Sequence, residues 1–366
     1  MFKILLRVFL IILVLVILFI TYLSIFGIKT DKFNQTIKSQ IVKQDDRLDL
    51  KLTSVFIKLN LNERSFSINS KNLELFILKE NQKIKNLDIL LDLKSLIGRE
   101  IKIKKIIINS EKNEIVSLLK FIRNYKINIP VLYLENSITK GNIFYDLSIE
   151  FDNNKINQIE IKGKIVDAEL NILERKKFNN LNLNFEYKNK NLEISNLKFN
   201  HNNWNFKSNN ILAYLNKDLI NIKGDFQNEA NIKLLSNFTN YELKDYIDEK
   251  IIFSVKSFFE IQLTKKFKLK DYKLDSKLNF EDVKINLKNI NLKKYITDFN
   301  NKIIFNKGEL ILNINKQNNL EIKFNSKYKF REDEKSDKIS LIYSKLNLDE
   351  KYELNIDFFE NEIFFD

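Results

Sequence analysis

His201 is the only histidine of the chain and stands near Trp204 and Asp225. Proton-shuttling chemistry would need it beside a nucleophile or a second titratable group. No recognisable nucleophile accompanies it, and the 366 residues contain no Cys. His201 therefore reads as a structural side chain. With no thiol and one imidazole, a zinc site would have to be built from carboxylates alone, which zinc rarely accepts. The six glycines cannot spell G-x-G-x-x-G or G-x-x-x-x-G-K-[ST], so phosphate-cradling loops are excluded. Asp and Glu are plentiful but scattered, and no spacing marks out a glycosidase pair. The expectation is a protein that is not an enzyme, with no catalytic residue, metal or cofactor.

Lys and Arg number 61 against 48 Asp and Glu, a formal charge of +13. Such an excess suits polyanions or an anionic membrane surface. Lys, Asn, Ile, Phe and Leu are inflated together along the whole chain, however, so the excess is a general bias and not a patch. Lys265, Lys266, Lys268, Lys270 and Lys273 interleave with Phe267, Leu269, Tyr272 and Leu274. A period of two sends Lys266, Lys268 and Lys270 to one face and Phe267 and Leu269 to the other. A nucleic-acid site wants both on the same face, so no nucleic-acid partner is expected.

The elements that would position any site begin with an apolar run. Val8 to Ile28 carries no charge, matching the ~20 residues that a helix needs to cross a bilayer. Val8, Leu10, Leu13, Val16, Phe19, Tyr22 and Phe26 are the expected anchor residues of a single transmembrane span over residues 1–28. A cleaved signal peptide is the alternative, but the run is longer than its usual apolar core and no small-x-small site precedes Thr30. Lys3 and Arg7 precede the span while Lys29, Lys32, Lys38 and Lys43 follow it, so flanking charge does not fix the orientation.

Phe33, Ile37 and Ile41 continue a helical spacing beyond the span. From Leu48 the period becomes two, and about 20 alternating segments follow at roughly 8 to 12-residue spacing. Asn-rich turns such as Asp152-Asn153-Asn154 and Lys188-Asn189-Lys190-Asn191 separate them, with Asn in place of scarce Gly at left-handed positions. Ser110 is expected to cap an amphipathic helix carrying Ile115, Leu118, Leu119 and Ile122. Weaker helical candidates are Ser95 to Gly98, Ile232 to Tyr246, and Leu292 to Phe299. Pro130 marks a boundary, giving a mixed α/β module at 29–128 and a β-rich region at 129–366.

Every such strand has one apolar and one polar face, and the helices are too few to cover the apolar one. Two architectures answer this. The sheet closes into a β-sandwich with that face as its core, or it curls into a long antiparallel β-groove that holds lipid tails. In the second case the lipid-contact candidates are Leu181, Leu183 and Phe185, Ile220, Ile222 and Phe226, Leu310, Leu312 and Ile314, and Leu320, Ile322 and Phe324. Exposing a ~16-carbon acyl chain to water costs roughly 12 kcal/mol, and an apolar lane would remove that barrier without catalysis.

The signal anchor, an extension ending in Asp46-Arg47-Leu48 and the strands behind it together resemble the AsmA-like family of envelope proteins, which includes the TamB and YhdP branches. Leu87-Asp88-Ile89-Leu90-Leu91-Asp92-Leu93-Lys94-Ser95-Leu96-Ile97-Gly98-Arg99-Glu100-Ile101-Lys102-Ile103-Lys104-Lys105-Ile106-Ile107-Ile108 looks like that family's strand, short helix and strand unit, with residues 111–126 as the next helix. The resemblance covers residues 1 to 130 by pattern and the rest by strand repetition. It implies an inner-membrane anchor, a groove in the periplasm, and movement of phospholipids towards the outer membrane. The abrupt finish at Phe364-Phe365-Asp366 reads as a short or truncated member. A membrane-tethered scaffold that offers sheet edges to outer-membrane assembly components is the alternative.

Overall fold

The computed structural model describes residues 2–31, 34–61, 65–92, 102–152, 155–172, 176–201, 204–216, 218–231, 247, 252–287, 301–317, 319–330, 336–346 and 349–357. The helical candidates around residues 95–98, 232–246 and 292–299 lie outside them, as do Phe33 and residues 358–366. Contacts divide the chain into two compact units, residues 1–190 and 191–366. Among the described residues twenty strands occur, antiparallel wherever they pair, and the molecule is mainly β.

The first unit opens with helix α1 (Phe2–Ile25). Tyr22 O accepts hydrogen bonds from Phe26 N at 2.9 Å and Gly27 N at 3.3 Å, and the chain then turns directly into β1 (Ile28–Thr30). Gly27 is required at this junction. Its φ is +69°, and a Cβ there would lie 2.6 Å from Lys58 Cγ and 2.7 Å from Ile57 O. Among the described residues no helix is long and apolar enough to cross a membrane. The side chains of residues 2–5 and Val8, all within α1, lie outside the description.

Helix α2 (Asn34–Gln44) leads to β2 (Leu48–Lys51), β3 (Val55–Asn60), β4 (Ser65–Ile77), β5 (Glu80–Asp92), β6 (Ile103–Ser110) and the two-residue β7 (Asn113–Glu114). Helices α3 (Ile115–Tyr125) and α4 (Ile129–Ser137) follow, then β8 (Ile138–Asp152), β9 (Lys155–Ile172) and β10 (Lys176–Lys188). The ladder runs β1, β3, β4, β5, β6, β8, β9, β10. β2 lies along the far half of β4, and β7 along part of β8.

Ser110 does not cap α3. It still pairs with Ile84 as the end of β6, and its hydroxyl accepts from Tyr145 N at 2.7 Å. The helix can begin only once the chain has left that ladder, and Glu114 then precedes it without a side-chain cap. α4 was not expected. Pro130 sits in its first turn, where a missing N–H costs nothing.

The second unit is a meander of β11 (Asn191–His201), β12 (Trp204–Asn216), β13 (Leu219–Asn231), β14 (Ile252–Thr264), β15 (Leu269–Phe280), β17 (Lys302–Asn315), β18 (Leu320–Lys329), β19 (Asp337–Leu346) and β20 (Asp349–Ile356). The short β16 (Val283–Asn286) extends the β15 side of β17. Among the described residues no pairing joins β20 back to β11. The closed β-sandwich is therefore not the architecture found. Leu310, Leu312, Ile322 and Phe324 are only half-buried, whereas a facing sheet would bury them fully.

Left-handed residues occur in the turns, as Asn189 with φ 51° shows, but also inside strands. Asn72, Asn196 and Lys307 adopt φ of 51°, 53° and 50° within β4, β11 and β17. The apolar alternation changes parity at each: Ile194 is followed on its face by Leu197. These irregularities keep one face apolar along strands of up to 18 residues.

Candidate functional site

In an antiparallel ladder, residues directly opposite share a face, so the registers convert the alternation of each strand into rows that cross the sheet. In the first unit Ile28, Ile57, Ile68, Ile89, Ile106, Ile149 and Ile159 form one such row. At ~4.8 Å per strand it extends about 29 Å. Val55, Ser70, Leu87, Ile108, Leu147, Ile161 and Tyr187 form a parallel row beside it. The isoleucines are half-buried in the middle of their row and exposed at Ile28 and Ile159.

The other end of this face is covered. Ile37 of α2 packs on Leu50, Leu73 and Ile84, and Ile115 and Leu119 of α3 pack on Ile138, Ile143 and Ala168. Leu181 and Phe185 border the second cluster, while Leu183 lies opposite Ile165. Phe185 crosses Gly163, where a Cβ would sit 2.6 Å from its Cζ. Burial pushes the neighbouring Tyr145 hydroxyl up to about 12, a sign of how dry this corner is. The opposite face of the sheet carries ion pairs, with Lys162 3.0 Å from Glu160 and 3.2 Å from Glu186, and Lys105 3.0 Å from Glu150.

In the second unit Val255, Leu278, Leu310, Phe324, Leu341 and Leu354 make a row over six strands. Beside it run Ser257, Ser276, Leu312, Ile322, Tyr343 and Tyr352, in which the two serine hydroxyls bond each other at 2.8 Å. Ile314 stands opposite Leu320, and Ile220 and Ile222 stand opposite Leu263 and Ile261. Phe226 stacks on Phe259 with centroids 5.1 Å apart and meets Phe199 edge-on at 6.0 Å. Phe199 and Phe226 belong to strands separated by β12, whose axes would be ~9.6 Å apart, so their rings lean together as on the inside of a curl. Phe280 likewise reaches across β17 to stack on Phe324 at 6.0 Å. Gly308 lets it through.

All twelve lipid-contact candidates thus lie on the apolar faces. The isoleucine row that starts at Ile28 was not singled out from sequence. Its members alternate visibly at Ile57 and Ile68, but only the register aligns them. Hollows are peripheral, about 470 Å³ between α2 and β2 and about 390 Å³ on the polar side of β17 to β19. A third hollow, about 260 Å³, touches the apolar face at Ile314 and Leu320.

His201 lies opposite Trp204, and Asp225 is on the polar side of β13 from Phe226. Lys265 pairs with Asp218 and Lys273 with Asp275, each at 2.7 Å. Among the described residues no three His, Cys, Asp or Glu side chains gather as metal ligands. Of the expected anchor residues, Leu10, Leu13, Val16, Phe19, Tyr22 and Phe26 are 43–64% exposed. No protein-family model, curated protein or solved structure matches the chain.

Proposed function

We propose that this protein is a lipid-binding or lipid-transfer protein anchored in the inner membrane by α1, with most of its chain in the periplasm, serving phospholipid movement towards the outer membrane. Membership of the AsmA-like family is part of the same reading. One observation carries it: the isoleucine row begins at Ile28, three residues after the end of an exposed apolar helix. The described residues of α1 alone do not meet the length and apolarity of a span; with residues 2–5 and Val8 added from the sequence, its 24 residues rise ~36 Å and carry only Lys3 and Arg7 as charges. With α1 in the bilayer, Ile28 stands at the headgroup level. An acyl chain can then slide from the leaflet onto the row without crossing water. Phospholipids or other acyl lipids are the cargo, and no step needs a catalytic group.

The test is lipid extraction from the purified full chain, with a photo-reactive side chain placed at Ile106 or Leu312. Cross-links to co-purified phospholipid are expected. Ile106→Asp, Leu312→Asp and Ile322→Asp should abolish lipid capture while leaving the fold intact, because a charge on a half-exposed face can still reach water. Loss of folding in all three, with no lipid on the unmodified chain, would mean that the face is a closed core.

A scaffold for outer-membrane assembly draws on β20, whose eight residues are all exposed and whose far side pairs with no strand among the described residues. Client strands would add there by edge pairing. Client capture that survives Leu312→Asp favours that role.

A further inference from the structure

The first unit carries a second exposed apolar feature, away from the isoleucine row. Ile127 and Ile129, in and just after the α3–α4 connection, are 76% and 78% exposed, and Tyr125 and Tyr133 flank them, also exposed. The tip of the β4–β5 hairpin joins this group. Leu78 there is 64% exposed and holds a φ of 55°, a left-handed conformation at which a bulky side chain is strained and Gly or Asn would be at ease. Arg47 ties the two tips together. Its carbonyl accepts from Leu78 N at 3.4 Å, and its guanidinium donates to Asn124 O at 2.7 Å and Tyr125 O at 3.3 Å.

Phe267 at the β14–β15 tip shows the same strain and exposure (φ 58°, 55% exposed), so what sets Leu78 apart is its company, Tyr125, Ile127, Ile129 and Tyr133, gathered into one exposed apolar group. Large apolar side chains mixed with Tyr, beside Lys79 and Lys126, are the composition of a membrane interface, although the exposed Asp46 also stands next to Arg47. Asp45 and Glu135 also face this region, but each is bound to an arginine, Arg47 and Arg123 respectively. The registers place Leu78 ten residues along the β4 direction from Ile68, which is level with Ile28, so the patch stands about 33 Å along the strands from the start of the isoleucine row.

We infer that Leu78, Tyr125, Ile127, Ile129 and Tyr133 form a second membrane contact that dips into the surface of the bilayer anchoring α1. The inference rests on the reading that α1 spans that bilayer. Two contacts, one through the bilayer and one on it, would fix the first unit against swivelling about the helix.

The chain has no Cys, so single cysteines can be introduced and labelled with an environment-sensitive dye. The full chain is reconstituted into vesicles of phosphatidylethanolamine and phosphatidylglycerol, labelled in turn at Ile127→Cys, Ile129→Cys, Leu13→Cys in α1 and Lys162→Cys on the polar face. Dyes at 127 and 129 are expected to shift to shorter wavelength and to be quenched by spin-labelled lipid, as at 13 and unlike at 162. Leu78→Asn should fold normally, shed its strain, and weaken the quenching at 127. Water-like emission at 127 and 129 with a quenched dye at 13 overturns the second contact, points to a protein partner, and leaves the anchor standing. Water-like emission at all four positions removes the anchor as well.

Discussion

Among the described residues, Asp45 is the carboxylate whose titration the fold perturbs most clearly. Side-chain and backbone hydrogen bonds from Arg47 hold it at about 2, below its ordinary 3.8. The same guanidinium closes the last carbonyls of α3, where a cation is favourable. A depressed carboxylate stabilises the fold fully above about pH 4, and that contribution disappears as the pH falls through 2. Thermal midpoints measured at pH 5 and pH 2.5 should therefore drop further for the unmodified chain than for Asp45→Asn. Equal drops would show that this turn does not couple to folding.

At the scale of elements, the rows depend on a few positions where a side chain is missing. A Cβ on Gly308 would fall 1.8 Å from Phe280 Cζ, and Phe280 is part of the buried cluster with Phe253, Phe305 and Tyr328. Gly308→Ala should cost about 1–3 kcal/mol in denaturant unfolding, as overpacking does. An unchanged midpoint would show that Phe280 has somewhere else to go. The strands themselves were legible because their period is two, and Leu181, Leu183 and Phe185 fall on the apolar face as that period requires. Parity changes at Asn72, Asn196 and Lys307 were not legible, since nothing in a single strand tells a left-handed residue inside it from one in a turn. Ser110 misled for a related reason. It is a good cap residue, but a cap acts only where the ladder has already ended. The alignment of Ile28 with Ile57 and Ile68 depends on which strands pair, which alternation cannot specify.

For the molecule as a whole, each unit is an open sheet whose apolar side its own chain covers only in part. Hydrocarbon laid on that side would bury further apolar area at about 25 cal/mol per Å². A ligand that binds only the folded chain raises stability by mass action, about 2.7 kcal/mol at a hundredfold excess over its Kd. Stripping the purified protein of lipid with detergent should lower its melting temperature, and returning phospholipid should restore it. Indifference to both treatments would argue that the rows carry nothing.

Helix passes to strand within two residues at Gly27, a close junction between α1 and β1. Hydrophobic mismatch tilts a membrane helix. On the proposal that α1 spans a bilayer, a thinner membrane would tilt the helix and rock β1, and the angle at which the first isoleucine greets the leaflet would then follow the membrane's thickness.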